Sequence, residues 1–364
     1  MTAGPQHAGA WLEIDLGAIR ANWRSLADRV QGGCAAVVKA DAYGLGAAAV
    51  APALAAEGAR IFFVAHLDEA LALRPLLPGA EIFVLNGLPP GAEADCAAAG
   101  VVPVLNSLAQ IDAWAATARG AGTSLPAAVQ VDSGMSRMGL PEGDVAILAD
   151  DPSRLGGVGL RLVMSHLACA ERQDHPMNPA QLAAFATARR RLPRAPASLA
   201  NSSGIFLGPD YHFDLARPGA ALYGLAPVAG APNPMHPVVS LLGRIVQIRE
   251  IPAGTRVGYG GSWTADRLTR IATVAVGYAD GYLRSLSNRA TAFAGERPVP
   301  LVGVVSMDTV TFDVTDAPEA REGGFLELLG PRHSPDKLAT EAGTIGYEIL
   351  TALGARYARS YPGA

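Results

Sequence analysis

From Ala35 to about Leu225 the chain alternates short apolar runs with Ala-rich stretches, and no other feature narrows its fold as far. The runs are Ala35–Lys39, Ile61–Ala65, Ile82–Leu85, Val101–Leu105, Ala127–Val131, Leu160–Met164, Ala197–Ala200 and Phe213–Ala216. Continuous apolar runs of this length suit strands buried on both faces, as in a parallel sheet; a strand with one wet face would alternate. The stretches between them carry helix signals. Asp68 stands as an N-cap before Glu69–Arg74, and Pro179 opens Ala180–Leu192. Eight such units within residues 35–225 fit a closed (β/α)8 TIM-type barrel better than an open sheet.

Each run ends on or just before a polar residue: Lys39, His66, Asn86, Asn106, Asp132, His166, Asn201 and Arg217. In a barrel these strand ends converge on one mouth, which is where catalytic side chains sit. A single His or Asn at a strand end is ordinary. A polar residue at every end points to a mouth built for chemistry.

Ahead of the barrel, Asp15 caps a helix with Ile19, Trp23, Leu26 and Val30 on one face. Near His236 the texture changes. Val238–Ile251, Arg270–Val276, Pro300–Met307, Val310–Val314 and Phe325–Leu329 read as strands, and no long amphipathic helix follows until Thr344–Ala358. The expectation is an α/β barrel over residues 11–235 and a mostly β C-terminal domain over 236–364, parted at the Pro-rich stretch 226–237. The strand at 11–15 is open to inclusion in the second unit.

Composition excludes several classes. Half of the 364 residues are hydrophobic and 17% are charged, which suits a sizeable core. A net charge of −4 argues against nucleic acid or an anionic membrane as the main target. Three scattered cysteines, Cys34, Cys96 and Cys169, lack metal-ligand spacing and read as reduced thiols of a cytoplasmic protein with no metal site. Residues 1–10 lack the basic and apolar regions of a secretory signal, and no run approaches the roughly 18 apolar residues of a membrane span.

Of 29 Lys plus Arg residues only two are lysines, Lys39 and Lys337. Lysine can lose its proton and form an imine; arginine can do neither. Lys337 lies in a polar segment, whereas Lys39 ends an apolar strand, where an ammonium is costly unless paired or used. Gly44-Leu-Gly46-Ala-Ala-Ala49 fits the dinucleotide fingerprint, with Asp68 downstream as the ribose contact. Four residues, however, separate the strand end from Gly44 where a tight turn is needed, and the layout of repeated units plus a β domain is wrong for that fold.

The segment Val37-Val-Lys39-Ala-Asp-Ala-Tyr43-Gly-Leu-Gly46 closely resembles the cofactor-lysine motif of the alanine racemase family, whose members join a barrel binding pyridoxal 5'-phosphate to a β domain. Further segments match that family in order. They are Val131–Gly139, Met164–His166, Ala200–Ser202, Ala216–Gly219, Leu222–Gly224, Val257–Gly260, Val276–Gly281, Ser306–Asp308 and Thr344–Glu348. Together they span nearly the whole chain.

The resemblance implies a role for each position. Lys39 would carry the cofactor as a Schiff base and act as a base on one face of the substrate Cα; Tyr259 would be the base on the other. Racemisation needs two, because one proton leaves one face while another arrives at the opposite one. A free Tyr near pKa 10 is a poor base at neutral pH, so its surroundings must favour phenolate, which the family achieves through the counterparts of His166 and Arg217. Arg217 would face the pyridine nitrogen and, unlike a carboxylate, not keep it protonated. Tyr43, Ser202 and Gly219 would contact the phosphate, with Tyr357 an unsettled further contact. Arg137 would bind the substrate carboxylate, and Met307 would close a small pocket suited to alanine.

The implied protein is a cytoplasmic homodimer with shared sites that interconverts L- and D-alanine for peptidoglycan. A racemase of another small amino acid and a fold-related decarboxylase are the alternatives. The decarboxylase would need a catalytic Cys in the β domain, where Ser306 stands. A non-catalytic cofactor carrier would resemble the barrel alone. The sequence departs from the family at Gln130, where many members have a carbamylated Lys; its amide oxygen is expected to meet Arg137. It also departs at Ser198, which replaces a second His, and at Ala355, where the C-terminal phosphate-binding Tyr finds no gap-free match.

Overall fold

The computed structural model describes residues 7–363, so the expectation of no secretory signal falls largely on residues outside the described ones. The chain opens with β1 (Ala10–Ile14) and helix α1 (Leu16–Ala27). The Asp15 side chain accepts the Ala18 N–H at 2.9 Å and caps α1 as expected. Val30 lies beyond the end of this helix, not on its face.

The barrel strands are β2 (Gly33–Cys34), β3 (Ala36–Val37), β4 (Ile61–Val64), β5 (Glu81–Val84), β6 (Val102–Leu105), β7 (Leu125–Gln130), β8 (Val158–Met164), β9 (Ala197–Ser198) and β10 (Leu215–Ala216). β3 to β9 form one parallel sheet in chain order. The curl closes because the first strand is split. β3 pairs with β4, while β2, just before it, pairs with β10 through Leu215–Gly33 and Ala216–Cys34. A bridge between Asn201 and Arg217 joins the seventh and eighth positions. Phe62, Val64, Ile82, Val84, Val104 and Val129 are all buried, as expected of strands covered on both faces.

Two barrel details correct the sequence reading. The eighth strand is only Leu215–Ala216, because Phe213 adopts a φ of 50° and leaves the extended region. The cap position of the helix Leu67–Leu73 is His66 and not Asp68, and Glu69 reaches back to accept the His66 N–H at 3.1 Å. Asp68 instead joins Glu69 in the first turn, where negative charge suits the helix dipole.

Beyond the barrel the strands are β11 (Val239–Ile251), β12 (Arg256–Val257), β13 (Trp263–Thr264), β14 (Thr269–Val274), β15 (Thr291–Ala294), β16 (Arg297–Pro300), β17 (Val310–Asp313), β18 (Phe325–Leu329) and β19 (Ala358–Ser360). β11 is the hub, antiparallel to β1, β14 and β18. β1 also pairs with β19, so the first strand of the chain belongs to the sheet built by the last residues.

The segment expected as a strand over 300–307 is instead a loop after β16. It turns at Gly303 (φ 89°) and is held by Tyr278 and Ala279, whose N–H groups donate to the carbonyls of Ser306 and Met307. The single helix expected over 344–358 is also replaced. Two short helices, Pro335–Ala342 and Gly346–Ala352, flank Gly343 at φ 75°. The second stops where Gly354 donates its N–H to the Asp280 carbonyl at 2.9 Å. Among the described residues no helix is long and apolar enough to cross a membrane.

Candidate active site

Lys39 follows β3 and is itself followed by a turn of unusual hand. Ala40, Asp41, Ala42 and Tyr43 have φ values of 52°, 54°, 53° and 57°. Left-handed helical geometry costs an L-residue about 1–2 kcal/mol, so four in a row must be held by their surroundings. Glu69 accepts the Ala40 N–H at 2.6 Å, Asp41 accepts the Ala47 N–H at 2.7 Å, and Gly44 donates to the Ala40 carbonyl at 2.7 Å. Gly44 ends the turn at φ 83°, and a Cβ there would strike the Leu350 carbonyl. The turn carries Tyr43 inward. Its ring lies 4.7 Å from that of Tyr223, whose hydroxyl donates to the Val37 carbonyl at 2.9 Å.

Arg217, at the end of β10, is 3% exposed. Its guanidinium donates to the Ser198 hydroxyl and, at 2.6 Å, to the Ser165 carbonyl. All its hydrogen-bond partners among the described residues are neutral. Burial lowers its pKa from the usual arginine value to about 9, which still leaves it charged at neutral pH. His166, at the end of β8, is driven down to about 3, first by burial and then by the charges of Arg217, Arg137 and Lys39. The imidazole is therefore neutral over the physiological range. The Lys39 amine is lowered by burial, then by Arg137; Glu69 opposes, and Arg217 adds to the lowering. A lysine so placed is more readily the free amine, which is the nucleophilic form.

Ser202 accepts the N–H groups of Gly219 at 2.9 Å and Ala221 at 3.1 Å. With its lone pairs so engaged, its O–H is left to donate. Gly219 is required by space, because a Cβ there would fall on the Tyr43 hydroxyl.

Lys39, Tyr43, Arg137, His166, Ser202, Arg217 and Gly219 all line one cavity of about 260 Å3. The remaining walls are Val37, Leu85, Asn201, Ala220 and Tyr347. The lining holds three basic side chains and no carboxylate.

Of the eight strand-end polar residues, Lys39, His166, Asn201 and Arg217 face this cavity. The other four are engaged with neighbouring strand ends or with their own loops. Asn86 lies 3.4 Å from the His66 ring, Asn106 donates to the Leu85 and Val104 carbonyls, and Asp132 accepts the N–H groups of Gly134, Met135 and Ser136.

Two expected residues lie apart from the others. Tyr259 and Met307 are 73% and 53% exposed, and neither lines the cavity of their own chain. Tyr259 begins a tight turn between Gly258 (φ 73°) and Gly260 (φ 68°). The Met307 carbonyl accepts the Ala279 N–H at 3.0 Å, and a Cβ on Gly277 would collide with it. Arg356 braces this region by pairing with Asp280 at 2.6 Å and Asp308 at 2.7 Å.

Tyr357 is buried away from the cavity with its hydroxyl unpaired. The C-terminal tyrosine that lines the cavity is Tyr347, 5.9 Å from the Tyr43 ring. It was present in the Thr344–Glu348 match without a role, and Asn201 likewise in Ala200–Ser202. Gln130 is buried at the end of β7, but no hydrogen bond joins it to Arg137 among the described residues. Glu69 was not foreseen beyond its helix.

The family description "Alanine racemase, N-terminal domain" matches residues 14–227, and "Alanine racemase, C-terminal domain" matches residues 238–361. A catabolic alanine racemase of Mesorhizobium japonicum is 56% identical over 360 residues, covering 98% of this chain and 94% of the relative. An alanine racemase of Rhodospirillum rubrum is 54% identical over 361 residues, covering 98% and 96%. Among solved structures, alanine racemase from Bartonella henselae, with covalently bound pyridoxal phosphate, superposes with a TM-score of 0.94 at 44% identity, covering 97% of this chain and 99% of that one. The biosynthetic alanine racemase of Pseudomonas aeruginosa gives 0.91 at 37% identity, with the same coverages. Sequence, fold and cavity agree: the chain belongs to the alanine racemase family.

Proposed function

We propose that this protein is a cytoplasmic, pyridoxal-phosphate-dependent alanine racemase that supplies D-alanine for peptidoglycan. One observation supports the reading above the rest: two arginines, a free hydroxyl and a lysine that sheds its proton readily share a cavity lined by no carboxylate among the described residues. That donor set fits a phosphorylated cofactor together with a substrate carboxylate.

Ser202, Tyr43 and the backbone at Gly219 would hold the phosphate, Arg217 would meet the ring nitrogen, and Lys39 would bear the covalent link. When bound, the cofactor supplies the electron sink that makes the substrate Cα–H acidic enough to lose. The chain does the rest. Arg137 binds the carboxylate and fixes which Cα bonds face the bases. The Lys39 amine takes or returns a proton on one face, and the charges of Arg137 and Arg217 favour its neutral form.

The second base is the Tyr259 hydroxyl. Since it is exposed and absent from its own chain's cavity, we infer a homodimer in which Tyr259 and Met307 complete the partner's site. Residues 11–235 and 236–364 act as the two units, with β1 lent to the second.

The test is direct. Purified protein with pyridoxal phosphate should convert L-alanine to an equal mixture of enantiomers, and borohydride reduction should leave the cofactor on the peptide containing Lys39. Failure to racemise alanine, or attachment at Lys337, would remove the reading.

A further inference from the structure

We propose that Glu69 is the positioning residue for Lys39: its carboxylate clamps the left-handed turn behind the lysine to the end of the neighbouring strand. The inference rests on Lys39 as the cofactor-bearing residue and goes beyond it, because Glu69 does not line the cavity.

The two carboxylate oxygens do different work. Oε2 accepts the N–H groups of Ala65 at 2.7 Å and His66 at 3.1 Å, and so serves the start of the helix Leu67–Leu73. Oε1 turns outward to accept the Ala40 N–H at 2.6 Å, across 29 residues of sequence. On the other side of the lysine, the Val38 N–H donates to the Phe63 carbonyl at 2.9 Å. Lys39 thus hangs between two backbone ties, one to β4 and one to the helix that follows β4. The second tie lies at the first residue of the left-handed turn, where nothing in the intrinsic preference of Ala40 holds the geometry.

Three N–H donors converge on one side chain, so that side chain must accept and never donate. Gln fails because its NH2 would face a donor. Asp keeps the charge and is one methylene too short to span both loops. Substitution should therefore release the turn, letting the lysine amine drift from the groups it must serve, and fray the helix no further than its first turn.

The holoenzymes of Glu69→Gln and Glu69→Asp test this, with Asp68→Asn on the same helix as control. Amide hydrogen exchange in the peptide spanning 38–46 should rise by roughly tenfold or more at Ala40 in both Glu69 variants, while the amides from Ala70 onward, bonded within the helix, stay protected. The turnover number for alanine should fall by about 10- to 100-fold, the loss expected when a reacting group is misplaced by an ångström or less. KM should change far less, and the control should match the wild type. If Glu69→Gln does not fold, Glu69→Asp carries the same comparison.

Wild-type exchange and turnover in Glu69→Gln would overturn the clamp. So would full retention by Glu69→Asp, since charge and not reach would then be what matters. Cofactor trapped elsewhere than on Lys39 in the wild type would remove the underlying reading, and the inference with it.

Discussion

The barrel mouth and the Gly258–Gly261 turn of the β unit carry Lys39 and Tyr259, the two residues proposed to act as bases in one reaction, yet they are built in opposite ways. At the mouth, Lys39 is flanked by backbone ties, Arg217 is buried and doubly hydrogen-bonded, and Ser202 is locked onto two N–H groups. At the turn, Tyr259 stands 73% exposed on glycines of positive φ. A rigid element can prepare a group for chemistry within one chain. A side chain displayed on an exposed loop becomes part of a site only when a second surface covers it. In the proposed dimer, one half of the machinery would be finished on folding and the other half on assembly.

That contrast can be broken in several places. Removing the prepared half should do most damage: Lys39→Ala should abolish covalent cofactor attachment and lower racemisation by on the order of 10^4-fold, the upper range for an acid–base group. Absorbance after borohydride treatment and a coupled D-alanine assay would check both. Tyr259→Phe should cost about 10^2-fold or more in turnover while the cofactor remains on Lys39. Equal losses of cofactor in the two variants would erase the distinction between the regions.

Ser202→Ala should act through binding. Deleting the hydroxyl strands the buried Gly219 and Ala221 N–H groups, a penalty of about 1–3 kcal/mol. Cofactor dissociation measured by fluorescence should weaken by roughly tenfold to a hundredfold. The effect furthest from catalysis is on acid stability. His166 has a folded pKa of about 3 against an ordinary 6.5, so between those values the unfolded chain binds more protons than the folded one. Stability conferred by neutral His166 is full above pH 6.5 and declines as pH falls toward 3. Denaturant titration of the cofactor-free protein should show that slope, and His166→Asn should flatten it.

Much of this was legible in the sequence for physical reasons. Fully buried strands must be apolar throughout, so the eight runs marked the barrel, and a nearly lysine-free chain singled out Lys39. Other features depended on contacts that composition does not carry. Asn106 and Asp132 look like mouth residues, yet Asn106 satisfies carbonyls of its own and the neighbouring strand and Asp132 the N–H groups of its own loop. The two-residue strands β12 and β13 have no pattern to read. Tyr357 stands two residues beyond Ala355, the place of the family's C-terminal tyrosine, whereas the tyrosine that lines the cavity is Tyr347, whose position depends on the turn that separates two short helices at Gly343. The second role of Glu69 was invisible because its place at the helix start already explains it, and Oε1 meets Ala40 only after the barrel has formed.

The shared site is tested most directly by subunit mixing. Lys39→Ala chains and Tyr259→Phe chains, each nearly inactive alone, are dissociated and reassembled together, with distinct tags reporting mixed dimers. In a mixed dimer with shared sites, one site receives both lesions and the other neither. Random pairing makes about half the dimers mixed, so about a quarter of all sites should regain wild-type activity. If each site were built within one chain, every site would retain a lesion, and mixed dimers with no recovered activity would contradict the shared site.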